Sequence, residues 1–120
     1  MTEHDEQAAF MQWLKLQHPR VEAMTFAVPN GSVIGGKNKY ALIKKLKKEG
    51  MKNGVPDLFC LYPHGGKHGL VIEMKAIKGG RISDDQLDWH DRLVNAGFAC
   101  VFCNGCDAAI TATKTYLSTC

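Results

Sequence analysis

Two short apolar runs, DLFCLY and GLVIEMK, lie so close together within residues 57 to 75 that the chain between them can reverse but not cross over a sheet. The glycine-rich connection at residues 63 to 69 is too short for a helical crossover, so the runs are expected to pair as antiparallel neighbours. Charged residues mark both ends of this apolar hairpin, Asp57 at its start and Glu73 and Lys75 at its end. Alternation sends Glu73 and Lys75 to one face and Ile72 and Met74 to the other, while Asp57 shares a face with Phe59 and Leu61. If Tyr62 pairs near Gly69 or Leu70, paired positions sum to about 131 and Asp57 falls opposite the segment from Glu73 to Lys75.

Cross-strand neighbours lie roughly 4.5–5.5 Å apart at Cβ, a separation at which two carboxylates can share one hard cation. Without that cation they repel and raise each other's pKa. Oxygen ligands suit Mg²⁺ or Mn²⁺, and a lysine beside such a centre can position water and balance charge developing on a phosphate. The plainer alternative is that Asp57 caps a turn after Pro56 while Glu73 and Lys75 form an ion pair on a solvated strand face. What speaks for a site is placement: the Pro-Asp pair and the E-x-K triplet meet at one edge of the sheet.

The flanking segments are read from periodicity. Phe10, Trp13 and Leu14 form the apolar side of a first helix ending at His18-Pro19. A short strand, AMTFAV, stops at Pro29, Asn30 and Gly31. Leu42, Ile43 and Leu46 form a stripe on a second helix, with Gly50 placed to cap its C-terminus. In SDDQLDWHDRLVNAG, Ser83 is the expected N-cap with Gln86 completing a capping box, and Leu87, Leu93 and Val94 are expected to face inward. FACVFC then reads as a last strand and DAAITATKTYL as a closing helix. The resulting order, α-β-α-β-β-α-β-α over residues 1 to 120, predicts a single α/β domain.

Charge is unevenly distributed. Residues 37 to 52 hold seven Lys and one Glu, a local net of +6 that leaves the rest of the chain at −3 against +3 overall. Lys44, Lys45, Lys48 and Lys52 are candidates for gripping a nucleic-acid backbone, with a solvated lysine face as the alternative. Cys100, Cys103 and Cys106 have a suggestive spacing, but strand alternation sends the first two to opposite faces, which favours small buried residues over a metal site. No stretch approaches the roughly 18 apolar residues of a membrane span, and the N-terminus is acidic, so a cytoplasmic protein is expected. His4, His64, His68 and His90 are scattered and receive no role.

GVPDLF, then GLVIEMKA, then SDDQ resembles the PD-(D/E)xK nuclease superfamily, and specifically the small stand-alone VRR-NUC domains found in phages. FAVPNG and the lysine helix ending in Gly50 occur in the expected order, although the Val-Arg-Arg of the family name is represented only by Gly79-Gly80-Arg81. The resemblance implies a mixed four-stranded sheet flanked by helices and a Mg²⁺- or Mn²⁺-dependent endonuclease. It implies that Asp57, Glu73 and the Met74 carbonyl bind metal, that Lys75 assists the water, and that Gln86 is the site glutamine. A first-helix glutamate commonly completes such sites; Glu6 is chosen because it lies one turn before Phe10, with Glu3 and Asp5 as competitors. Homodimerisation, cleavage of four-way or other branched DNA, and a bacterial host cytoplasm for a phage-encoded copy follow by the same analogy. A non-catalytic nucleic-acid-binding module using the lysine helix is the competing function.

Overall fold

The apolar hairpin forms one step from the expected register: in the computed structural model, which describes residues 1–29 and 35–119, Leu58 faces Ile72, Phe59 faces Val71 and Cys60 faces Leu70. Paired positions therefore sum to 130, which aims Asp57 at Glu73 itself. These strands, β2 (Leu58–Cys60) and β3 (Leu70–Lys75), are the centre of a sheet ordered β1-β2-β3-β4. Strand β1 (Thr25–Ala27) is antiparallel to β2, and β4 (Ala99–Asn104) is parallel to β3. The sheet is thus four-stranded and mixed, as expected.

Helices cover it in the order α1 (Glu3–Gln17), α2 (Pro19–Glu22), α3 (Lys39–Lys48), α4 (Asp84–Asn95) and α5 (Cys106–Ser118). The short α2 was not expected, because Pro19 reads as a stop. It ends α1, yet its fixed φ and missing N–H suit the first position of a new turn. The turn expected at Pro29, Asn30 and Gly31 lies, beyond Pro29, outside the described residues.

One sheet face carries Leu58, Cys60, Leu70, Ile72, Met74 and Cys103 against Phe10 and Leu14 of α1 and Ala109 and Tyr116 of α5. Burial of each large apolar side chain there contributes about 1.5–3 kcal/mol. The other face carries Val71, Glu73 and Lys75 beside Phe102 of β4, on whose ring His90 of α4 stacks at 5.2 Å. Only Leu93 of α4 is buried; Leu87 and Val94, expected inside, are 45% and 43% exposed. The reason is that α4 packs on the edge strand β4, so a narrow row of its side chains meets the sheet.

Helix α3 ends as expected in a Schellman motif: Gly50, at φ +113°, donates to the Lys47 carbonyl and Met51 to that of Leu46. Its stripe of Leu42, Ile43 and Leu46 does not enter the core, and no α3 residue is buried. Strand alternation sends Cys100, alongside Val71, and Cys103, alongside Met74, to opposite faces as expected; Cys103 is buried, whereas Cys100 and Cys106 are only partly so. Burial pushes the Cys100 and Cys103 thiols up to about 11, so they stay protonated. Among the described residues no helix is long and apolar enough to cross a membrane.

Candidate active site

The site lies where β2 begins and β3 ends. Asp57, set by Pro56 at the head of β2, bonds to both neighbouring strands: its carbonyl accepts from the Val28 N–H at 2.8 Å, and its Oδ2 from the Met74 N–H at 2.7 Å. The second bond extends the β2–β3 ladder by one side chain and holds the carboxylate beside Glu73.

Glu73 is only 4% exposed. Its carboxyl is pushed up to about 9, first by loss of solvent, then by a hydrogen bond to Asp57 and by that neighbour's charge. Lys75 opposes the shift and Glu3 adds to it. At neutral pH Glu73 therefore holds a proton unless a further cation arrives.

Lys75, 8% exposed, donates from Nζ to the Arg81 carbonyl at 2.6 Å and to Gln86 Oε1 at 2.7 Å. Both acceptors are neutral. The ammonium is thereby oriented without its charge being cancelled, and one of its three donors remains free. Gln86 closes the expected capping box, and the same side chain reaches Lys75. Its Oε1 also accepts the Ser83 N–H at 3.0 Å, while Ser83 Oγ accepts the Gln86 N–H at 3.2 Å, so the capping box itself aims the oxygen at Lys75.

The first-turn acids of α1 separate into different tasks. Asp5 closes a capping box with Thr2 and faces solvent. Glu6 is buried, and its Oε1 accepts the Cys106 N–H at 2.8 Å. Gly105, the N-cap of α5, has no side chain to offer, so Glu6 supplies the missing acceptor at the positive end of that helix. Glu6 also lies against Gly105, whose N–H donates to the Lys75 carbonyl at 3.1 Å. Glu6→Ala is expected to destabilise the domain by about 1–2 kcal/mol, read as the shift of a denaturant midpoint, whereas Glu3→Ala should leave it unchanged.

Asp57, Glu73 and Gln86 line a cleft of about 650 Å³, faced by Lys47 and Lys52. The loop before Asp57 is pinned to α4 by Trp89 Nε1, which donates to the Asn53 carbonyl at 3.0 Å. Gly54, at φ +71°, packs so closely there that a Cβ would meet Asp85 Cβ at 2.6 Å, hence glycine. Of the lysines singled out in the sequence, Lys52 reaches the cleft; Lys44 and Lys48 border an open groove beside Tyr40 on α3, and Lys45 lines neither. Lys47, not singled out, borders both. The signal was its i+4 relation to Ile43, which also lines the cleft.

The family profile of the VRR-NUC domain matches residues 1–107. The chain belongs to the VRR-NUC family. A solved structure described as a VRR_NUC domain protein superposes with a TM-score of 0.82 at 26% identity, covering 97% of this chain and 88% of that one. No curated protein matches. Membership brings a nuclease-type function, and in this chain Asp57, Glu73 and Gln86, the last an acceptor for Lys75 Nζ, line a cleft bordered by Lys47 and Lys52.

Proposed function

We propose that this VRR-NUC domain is a divalent-cation-dependent endonuclease that hydrolyses DNA phosphodiester bonds. The observation that carries the reading is a buried Glu73 carboxyl hydrogen-bonded to Asp57 and close enough to feel the charge of Lys75, an ammonium whose fixed partners are both neutral.

The donor set fits a hard cation. Glu73, driven up to about 9 by burial and by Asp57, regains its charge if a divalent ion is placed between the two acids. Among the described residues no three His, Cys, Asp or Glu side chains converge, so Asp57 and Glu73 would be supplemented by the Met74 carbonyl, substrate and solvent oxygens. Mg²⁺ and Mn²⁺ accept such a mixture, Mg²⁺ commonly keeping several waters. When bound, the ion would supply Lewis acidity toward the phosphodiester and toward water.

Hydrolysis adds water oxygen to phosphorus, breaks one P–O ester bond and returns a proton to the leaving sugar oxygen. Lys75 is the group placed to balance the added negative charge and to handle a proton, with Gln86 and the Arg81 carbonyl fixing its Nζ. Glu6 supports the far side of Lys75 through Gly105, and Glu3 lies close enough for its charge to be felt at Glu73. Lys44, Lys45, Lys48 and Lys52, now joined by Lys47, bind backbone phosphates. Lys47→Ala and Lys52→Ala should each weaken binding whatever the sequence and lower the slope of log K against log salt by about 0.9 on duplex DNA.

A domain of this size has little surface for branched DNA, so a homodimer making paired cuts on a four-way junction is the favoured working form. Light scattering that gave only monomer at working concentration would remove that part. The test of the activity is incubation with labelled branched and linear DNAs in Mg²⁺, Mn²⁺ or EDTA beside Asp57→Ala. Cleavage confined to metal and abolished by the variant supports the enzyme; binding that neither needs metal nor leads to cutting would assign a non-catalytic binding module.

A further inference from the structure

Residues 76–82 cross from Lys75 back over its own side chain before α4 begins. Their apolar residues anchor them weakly: Ile77 touches Gly105 but is still 62% exposed, and Ile82 is 41% exposed. Gly79 and Gly80 both have positive φ, at +82° and +92°, so the backbone by itself has many alternatives. The only side chain that donates to this segment besides Lys75 itself, among the described residues, is Asn104: its Nδ2 reaches the Ala76 carbonyl at 2.7 Å and the Gly79 carbonyl at 3.1 Å.

Asn104 is the parallel-strand partner of Lys75 at the end of β4, so the two side chains leave the sheet together. Between them the strap is drawn tight. A Cβ on Gly80 would stand 3.0 Å from Lys75 Cβ and 3.4 Å from its Cδ, so the strap backbone forms a wall along the lysine stem. One residue later the Arg81 carbonyl accepts the ammonium, and Ser83 starts the helix that presents Gln86.

We propose that Asn104 is a positioning residue for Lys75, acting through the strap it ties down. The inference rests on the catalytic reading of Lys75, but its first test does not. An amide with both protons on carbonyls three residues apart closes a short loop; that loop sets where the Arg81 oxygen lies, and the Arg81 oxygen sets where Nζ lies. Without Asn104 the strap keeps, among the described residues, no side-chain hydrogen bond except the one from Lys75 itself, the group that needs holding.

Asn104 is exposed, so Asn104→Ala should fold. In metal-free protein, Lys75 should then react with an amine-specific reagent at least about threefold faster than in the parent, with exposed Lys78 on the same strap unchanged as the internal reference. Gly80→Ala, which drives a Cβ against the lysine stem at a backbone angle that alanine resists, should reproduce the effect. In the DNA-cleavage assay Asn104→Ala should lower kcat by about 10- to 100-fold with KM unchanged, as for a misplaced group outside the binding surface. Unaltered labelling of Lys75 in both variants overturns the proposal, as does a loss confined to KM. If the parent domain cuts no DNA, the labelling result still decides the strap's role, and only the catalytic reading falls.

Discussion

Lys75→Met should leave the domain folded and able to bind DNA while its cleavage rate falls by about 10²–10⁴, the range for a group that moves a proton or balances charge in a transition state. Methionine keeps the length of the stem, which is buried along the Gly80 wall, so packing is largely preserved. It also removes a buried charge, and the oxygen that loses its donor at Gln86 still accepts the Ser83 N–H. Stability should therefore change by less than about 1.5 kcal/mol. Single-turnover cleavage beside a binding isotherm separates the effects: a variant cutting within threefold of the parent would show that the ammonium takes no part in the reaction.

The second large effect concerns Glu73 and pH. In the folded metal-free domain its carboxyl holds a proton up to about pH 9, whereas in the unfolded chain it ionises near the ordinary value of 4.5. The folded state thus binds the extra proton between those limits. The stabilisation is complete below pH 4.5 and is lost progressively as pH rises toward 9, at up to about 1.4 kcal/mol per pH unit from this one group. Metal-free protein should accordingly melt at a lower temperature at pH 8.5 than at pH 5.5. Glu73→Gln, which keeps the shape and cannot ionise, should flatten that dependence and abolish cleavage. Mg²⁺ or Mn²⁺ at pH 8 should raise the melting temperature of the parent and not of Glu73→Gln, because only an ionisable carboxyl gains by binding the cation. A pH-independent melting temperature in the parent would mean that Lys75 already neutralises Glu73, and the physical case for a cation between the two acids would be lost.

Both experiments probe a site whose local parts were legible in the chain. The short connection before β3 imposed antiparallel pairing, and alternation along LVIEMK put Glu73 and Lys75 on one face; the observed register differs from the expected one by a single step. The Ser83–Gln86 box and the Gly50 cap were readable for the same reason, because each is closed by hydrogen bonds within a few residues. Amphipathic spacing was a weaker guide. It marked Leu87 and Val94 as core residues, which are exposed, and the α3 stripe of Leu42, Ile43 and Leu46 is not buried either, because apolar periodicity says which side chains share a helix face and not how much surface is available to cover that face.

What the sequence determined alone is a mixed α/β domain with two acids and a lysine gathered at one sheet edge, since those contacts are enforced by chain connectivity over short spans. The tertiary structure alone decided which partners complete them. Glu6 meets the Cys106 amide across 100 positions, Asn104 ties down the strap 25 to 28 positions earlier, and Lys47 turns toward the cleft while Lys45 does not. Such contacts depend on how α1, β4, α5 and α3 are placed around the sheet. That placement is set by the shared core and by close-packed backbone, and no short window of residues contains it.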